Sequence, residues 1–569
     1  LHGSFAPSEA LSRLLQGTGL THLQTGAHAE KIIPASSAIM LGPVRVGGII
    51  QNRVPSTAMI GNPPPVLPGG EVARGGQLGM LGNRDVMDTP FNATSYTDKF
   101  IKDRQIRNIR DALKDDPSVR ATLATGTVGA EPMTIRGFAV NSQDISFGGL
   151  YGLMPQAGIM AEVAERVEVL HGPAVLMNGM APGGTIGGAI NIVPKRAHDK
   201  PITEIEAEYN SNTQFGGHAD VGRRFGKNKQ FGLRANAMIR SGATPIDRNE
   251  MRTALTTLGA DAKFKHVRLS ADFGYQSRDI DGVIPYVSPL AGVSVPSAAK
   301  VERNLGASWS RGRSQDFFGV FHGEVDLFRD VTAYGSVGAH DSDNRNLSPS
   351  YAYVSDNSGS ATMTPSVYDY GNLDTVADLG VRAKVRSGPV TQDLNFSANR
   401  FYDVGRFYNV RASTGSHVNI YQETNIPQST LKMPGKDPKN SEATLSSLAL
   451  ADTVSAFEKR IQVTGGLRVQ RVQAVNFNTT TGARTSSYDK TAIGPSVLAV
   501  FKPLKHLSIY GNWIQGLQQG TTVGPTYANA GQIFAPYKST QYEVGIKGDL
   551  GRFIATFDVF QISQPSTVT

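Results

Sequence analysis

The chain has 569 residues, of which 62 are glycine, 39% are hydrophobic and none is cysteine. Disulfides, thiolate metal sites and cysteine nucleophiles are thereby excluded, and so modest an apolar content with so much glycine predicts strands and turns rather than a compact helical enzyme. The net charge of +8 arises from 56 basic residues interspersed with 48 acidic ones, without a long basic run, which argues against nucleic acid as a partner.

The residues before the first leucine-rich turn carry no charged, apolar leader, so a secretory signal is expected to have been removed or left out. Residues 1–33 place Leu11, Leu14 and Leu15 at helical spacing behind Ser8-Glu9 and stop at Gly17-Thr18-Gly19, which predicts one short amphipathic helix. Residues 34–70 carry Val54-Pro55, Pro63-Pro64-Pro65 and Pro68-Gly69-Gly70, a spacing that interrupts regular pairing and reads as a linker. Within it, the apolar segment Ile39-Met40-Leu41-Gly42-Pro43-Val44-Arg45-Val46 suits either strand addition to a partner's sheet edge or packing on the next domain. Residues 71–200 combine a helix over 104–114 with short β segments, Met133-Thr134-Ile135 and Val167-Glu168-Val169-Leu170, set between glycine clusters: a small α/β domain.

From 201 to 569 the pattern becomes period two. Val267, Leu269, Ala271, Phe273 and Tyr275 share one strand face, Arg268, Ser270, Asp272 and Gln276 the other. About fifteen such amphipathic strands are expected, each near the length of a tilted bilayer-spanning strand. No run reaches the roughly 18 apolar residues of a membrane-spanning helix, but a β-barrel needs apolar residues only at alternate positions. Connections alternate between short ones, near 226–229, 264–266, 328–330, 386–388, 458–460, 503–506 and 550–552, and long polar ones over 278–316, 342–373, 404–442 and 518–540. Such two-ended asymmetry favours a transmembrane antiparallel β-barrel over a soluble sandwich. An odd strand number and the lack of a terminal aromatic residue lead us to expect a barrel truncated at its C-terminus. Trp513, on the apolar face of Tyr510-Gly511-Asn512-Trp513, is expected in an interfacial girdle.

Three motifs stand in the α/β region: Thr134-Ile135-Arg136-Gly137-Phe138, then Glu165-Arg166-Val167-Glu168-Val169-Leu170-His171-Gly172-Pro173, then Pro182-Gly183-Gly184-Thr185-Ile186-Gly187-Gly188-Ala189-Ile190-Asn191-Ile192-Val193. The last has no Lys-Ser/Thr and no Rossmann spacing, so it is no phosphate loop; its glycines permit positive φ and close backbone approach. Together the motifs resemble the plug domain of TonB-dependent outer-membrane siderophore receptors, with His171 where the family usually has arginine. The resemblance implies a plug inside a barrel of usually 22 strands, TonB as partner, a TonB box at Ile39, Met40, Leu41, Val44 and Val46, and outer-membrane lipid around the barrel. It also implies import of a ferric siderophore, with no cofactor, no protein-bound metal and no catalytic residue; no Gly-x-Ser-x-Gly elbow is present either.

By the same resemblance, plug arginines meet glutamates of the barrel wall, so Arg136, Glu165, Arg166, Glu168 and Glu543 are candidates for one plug–barrel charge cluster, surface ion pairs being the alternative. Tyr151, Met154 and Gln156 are candidate ligand contacts on a plug loop, or else a packed plug turn. Tyr286, Trp309, Tyr351, Tyr353, Tyr368, Tyr370, Phe407 and Tyr408 offer aromatic walls for a bulky chelate. Haem and cobalamin are the alternative cargoes, and His417 is the one evident loop histidine for haem ligation. Residues 1–33 look like the end of a secretin/TonB N-terminal signalling domain, which implies an inner-membrane anti-sigma regulator as a further partner if signalling operates.

Overall fold

The computed structural model describes residues 7–18, 20–26, 29–34, 55–123, 131–210, 212–520 and 534–565. The chain divides into two compact units, residues 1–53 and 54–569. In the first, a helix Pro7–Leu15 is followed by the antiparallel pair Leu20–Gly26 and Ala29–Pro34, with Gly17 at φ 80° ending the helix. Leu14 of the expected apolar face is exposed. The segment 39–46 lies outside the described residues.

The second unit begins with the plug. Strands Ala164–His171 and Gly188–Pro194 pair antiparallel at its centre, flanked by Ala93–Thr97 and Ile145–Phe147. Two of the family-like motifs are thus hydrogen-bonded to each other, Val167 opposite Ile192 and Val169 opposite Ile190, all four side chains nearly inaccessible. Each such aliphatic burial stabilises by about 1.5–3 kcal/mol. The helix expected over 104–114 is corrected to two short ones, Asp98–Asp103 and Ile109–Ala112. Thr97 and Asn108 each cap a helix, accepting from Phe100 N and Asp111 N, and Gln105 turns the chain between them at φ 52°. Residues 55–70, expected as linker, run along the barrel wall: Met59 N and Ile60 N donate to Glu324, and Thr57 Oγ1 lies 2.6 Å from Thr332 Oγ1.

Fifteen strands, from Ile202–Asn210 to Ile554–Ser563, form one sheet in sequence order, every adjacent pair antiparallel. In Phe231–Ala243, Phe231, Leu233 and Ile239 are exposed, while Gly232, Arg234, Asn236, Met238 and Arg240 are buried. This inverts the pattern of a soluble sheet and is what lipid outside and a filled lumen inside require. Ile239, Leu450 and Val544 are 56%, 61% and 64% exposed on that outer face. Trp513 belongs to it too, opposite the exposed Val497 and Tyr542. At the long-loop end, strands Tyr286–Pro289, Tyr351–Val354, Ser360–Met363 and Ser416–Asn419, drawn from three different loops, form a separate small sheet. Leu305, Val354, Met363 and Ile420 are buried in the core beneath it.

Candidate functional site

The plug is bound to the wall by charges whose partners are fixed by turn geometry. Strands Met133–Ile135 and Phe138–Val140 form a hairpin whose two turn residues, Arg136 and Gly137, have φ 52° and 85°. Two successive positive φ values define a type I′ turn, which suits Gly137 and strains Arg136 by about 1 kcal/mol. The turn projects Arg136 to the barrel wall, where it donates to Glu543 and Asp558, each at 2.7 Å, and to Gln541 at 3.1 Å. Its guanidinium also lies 3.8 Å from the centre of the Phe560 ring. Glu543 in turn accepts from Tyr510 Oη at 2.7 Å and Asn92 N at 3.2 Å. Two residues along the same strand face, Lys547 Nζ donates to the plug carbonyls of Val86, Thr89 and Phe91 at 2.9, 2.7 and 2.6 Å. Three strands away in the same sheet, Arg468 donates to the carbonyls of Leu176 and Met177 at the end of the helix Val175–Asn178.

The single cluster expected of Arg136, Glu165, Arg166, Glu168 and Glu543 is corrected: only Arg136 and Glu543 meet. Glu165 pairs with Arg234 of another part of the wall at 2.7 Å and with His198 at 3.0 Å. Arg166 and Glu168 lie within the plug sheet because their strand runs through its middle. Glu168 accepts from Asn191 Nδ2 and Gln77 N, at 2.8 and 3.2 Å, and burial nonetheless pushes its carboxyl up to about 7. His171 Nε2 donates to Asp116 over 2.9 Å; although burial opposes it, this bond and those from Ser118 bring Asp116 down to about 2. The third motif closes on the plug through Gly183 N, which donates to Asp144 at 2.6 Å. Of its four glycines only Gly184 has positive φ; at Gly187 a Cβ would fall 2.0 Å from the carbonyl oxygen of Ile135.

Above the plug, the strand register brings the lumen-facing residues of five adjacent strands into rows. One row runs Arg278, Ser314, Asn344, Tyr370, Phe407; two residues lower on each strand run Gln276, Asp316, Ser342, Asn372, Gly405; the next holds Phe318, His340, Asp374 and Asp403. The plug loop reaches the upper row, where the Ala157 carbonyl accepts from Arg278. A cavity of about 30 Å³ opens there between Ala157, Arg278, Asn344, Asn346, Tyr368 and Tyr370. Within it the amide oxygens of Asn344 and Asn346 and the Tyr370 hydroxyl have no hydrogen-bond partner among the described residues. In the lower row His340 lies between two carboxylates, Nε2 at 3.0 Å from Asp316 and Nδ1 at 3.3 Å from Asp374.

The expected ligand residues divide accordingly. Tyr368, Tyr370 and Phe407 share the lumenal face and touch, Tyr368 standing 5.2 Å from Phe407 and 5.7 Å from Tyr370 between ring centres. Tyr286, Tyr351 and Tyr353 form a second contiguous set at 5.3 and 5.5 Å on the small outer sheet. Tyr408 is corrected: it faces away from Phe407, opposite Asp369, because consecutive strand residues point to opposite faces. Trp309 packs on the loop core and donates to the Ile426 carbonyl, so it builds the outer sheet rather than a ligand wall. Tyr151 and Met154 are buried, 6% and 1% exposed, leaving Gln156 as the half-buried residue of that expected trio. His417 is exposed on the outer sheet, paired with Thr362. Sequence reasoning missed Asp316, His340, Asp374 and Asp403, whose only local signal is a polar residue at an alternate strand position.

A larger cavity of about 620 Å³ lies lower, between plug and wall, with Tyr151, Arg166, Asn178, His322, Tyr334 and Phe401 among its lining residues. It reaches Lys263 and Asp199 beside the short-turn end.

The sequence profile described as "TonB dependent receptor-like, beta-barrel" matches residues 268–566, and that described as "TonB-dependent Receptor Plug Domain" matches 85–185. The ferrichrome receptor FcuA of Yersinia enterocolitica is 34% identical over 507 residues, 87% of this chain and 66% of that protein. The chain thus spans just under two thirds of that relative's length. The ferric-pyoverdine receptor PbuA of a Pseudomonas strain is 23% identical, covering 99% of this chain and 69% of the relative. Among solved structures, BauA, the ferric preacinetobactin receptor of Acinetobacter baumannii, superposes with a TM-score of 0.83 at 34% identity, over 88% of this chain and 74% of its own. With its plug enclosed by the wall, and with profiles of both parts matched in order, the chain belongs to the family of TonB-dependent receptors.

Proposed function

We propose that the protein imports a ferric siderophore across the bacterial outer membrane, energised by TonB. The observation that carries this reading is the aromatic and amide-lined recess directly over the plug loop, where Tyr368, Tyr370 and Phe407 face the lumen beside amide oxygens of Asn344 and Asn346 that have no hydrogen-bond partner among the described residues. A ferric chelate needs flat apolar walls and hydrogen-bonding groups, and no direct ligation of iron by protein. The relatives named for ferrichrome, pyoverdine and preacinetobactin support the same class. Tyr286, Tyr351 and Tyr353 extend the wall outward, and Gln156 meets the chelate from the plug. TonB engages the segment 39–46 and pulls; the Arg136–Glu543 and Lys547 anchors hold the plug until then, and the chelate passes along the space beside Tyr151 and Phe401. The barrel is embedded in outer-membrane lipid through its apolar outer face. No bond of the cargo is made or broken.

Iron-starved cells carrying or lacking the complete gene, each with and without TonB, test this with radiolabelled iron chelates, haem and cobalamin. Gene- and TonB-dependent uptake of an iron chelate is the expected result; uptake of haem or cobalamin alone would replace the cargo. The separate compact unit of residues 1–53 favours a second role in signalling through an inner-membrane anti-sigma regulator. Deleting the residues before Ile39 should then abolish gene induction and leave uptake intact.

A further inference from the structure

We infer that the short-turn end of the barrel is a binding surface for anionic phospholipid, whose phosphate headgroups a ring of lysines and arginines gathers in the periplasmic leaflet, whatever cargo the receptor carries.

The charge of this end is unlike that of the rest of the chain. Its seven short connections, 226–229, 264–266, 328–330, 386–388, 458–460, 503–506 and 550–552, hold nine lysines and arginines and two acids in 23 residues, where the overall content of 56 in 569 would give about two basic residues. The four long connections at the other end carry twelve basic residues against ten acidic ones, so the excess belongs to one end alone. Each short connection has at least one of the nine, from Lys227 to Arg552, and all nine are exposed. Arg386 pairs with Asp330 and Lys459 lies 3.7 Å from Asp88; the other seven have no ion pair among the described residues. Adjoining acids do not cancel them, for Asp326 is held by Arg268 and Asp549 by Arg74. Backbone bonds close the turns, Lys229 N donating to the Gly226 carbonyl, Phe264 N to Val267 and Arg460 N to Phe457, which ties the cations to the rim.

The flank and the extent of this rim decide what meets it. In five of the seven connections an exposed phenylalanine stands within two residues of a cation: Phe225, Phe264, Phe328, Phe457 and Phe553. Aromatic residues at the ends of membrane strands settle at the boundary between hydrocarbon and headgroups, so the cations beside them stand among the phosphates. Lysine and arginine stems lie along the apolar surface and carry the charge to that layer. A folded soluble partner would touch one side of the rim. The cations instead recur at every short hairpin, from the pair Gln214–Phe225 and Phe231–Ala243 to the pair Tyr537–Asp549 and Ile554–Ser563, as a surrounding lipid shell requires. An anionic headgroup in place of a zwitterionic one adds an attraction that fades within a Debye length.

The test is quenching of tryptophan by brominated lipid around the full-length receptor. Of the two tryptophans, Trp513 is on the lipid face and Trp309 is packed in the loop core, where it gives a constant background. In the variant Trp513→Phe with Phe328→Trp, the reporting ring stands beside Arg329, between the neighbouring turns of Lys265 and Arg386. The receptor is reconstituted in mixtures of phosphatidylglycerol and phosphatidylcholine with one or the other brominated. Phosphatidylglycerol should associate at position 328 about fivefold more strongly than phosphatidylcholine at low salt, and about equally at high salt. Adding Lys265→Gln, Arg329→Gln and Arg386→Gln should remove the preference. The unaltered receptor, reporting from Trp513 further along its strand from the short turn, should show little preference at any salt. Heat-dependent gel mobility of the barrel checks folding in each case. No preference at 328, a preference that survives both salt and the triple change, or an equal one at Trp513 would each overturn the assignment, the first in favour of a soluble periplasmic polyanion.

Discussion

Replacing Arg136 with alanine removes the cation of a fully enclosed pair and leaves Glu543 and Asp558 facing each other without it. Arg136 and Glu543 side chains are 1% and 0% exposed, so water does not compensate. Breaking such a pair from one side costs about 3–5 kcal/mol, because the surviving charge stays buried. Glu543 keeps donors from Tyr510 and Asn92, which places the loss toward the lower end of that range. The φ of 52° at position 136 is equally unfavourable for alanine, so backbone strain does not offset the loss; Arg136→Gly would recover about 1 kcal/mol of it. The readout is hydrogen–deuterium exchange of the hairpin 133–140 in the full-length receptor. A local opening made easier by about 3 kcal/mol accelerates exchange there by roughly 100-fold, whereas barrel strands distant from the pair are unchanged. Glu543→Ala should be milder, since Asp558 still holds the arginine at 2.7 Å. The double variant decides the matter: its effect should fall short of the sum of the singles by more than about 1 kcal/mol. Additivity within about 0.5 kcal/mol would refute the latch, for the two groups would then act independently.

Lys547→Met removes the donor that three plug carbonyls share, of which only that of Val86 keeps the Thr89 N–H, and exchange across 85–92 should quicken by about two orders of magnitude with the hairpin 133–140 less affected. Glu168 binds its proton more tightly in the folded plug, at about 7 against 4.5 for an ordinary glutamate. Folding stability should accordingly fall as pH rises between those two values and level off above them, and Glu168→Gln should flatten the slope of the thermal midpoint measured from about pH 5 to about pH 8. Tyr368→Ala and Phe407→Ala should each weaken binding of the imported chelate by about tenfold, while Tyr408→Ala, one residue along and on the outer face, leaves it unchanged; titration of the three variants side by side checks this. Trp309→Ala removes the packing that joins three loops, and limited proteolysis should cut within 282–310 faster without altering the barrel's heat-dependent mobility.

Much of the architecture is legible in the sequence because a membrane strand is a local code. Leu269 and Phe273 against Arg268 and Asp272 already say that one face is apolar and the other not, and the short turns and long loops mark the two ends. Arg136 and Glu543 could be singled out through the resemblance, and they lie in contact. The helix over 104–114 failed because two capping residues, Thr97 and Asn108, outweighed its apolar spacing. Tyr408 failed for a simpler reason: aromatic composition was read without the alternation that sends it away from Phe407.

By itself, then, the sequence determined the strand faces, the plug motifs and the family they resemble, all of which depend on residues near one another along the chain. Which side chains become neighbours across strands only the tertiary structure decided. A one-residue slip of register would turn Asp374 or Asp403 outward, and nothing local to either residue says which partner it will oppose. Tyr151 and Met154 sit on a loop that reads as exposed, yet enclosure by the barrel buries them. Strand pairing likewise makes the carboxylates around His340 one electrostatic site, since residues far apart in sequence meet only where four neighbouring strands align in register.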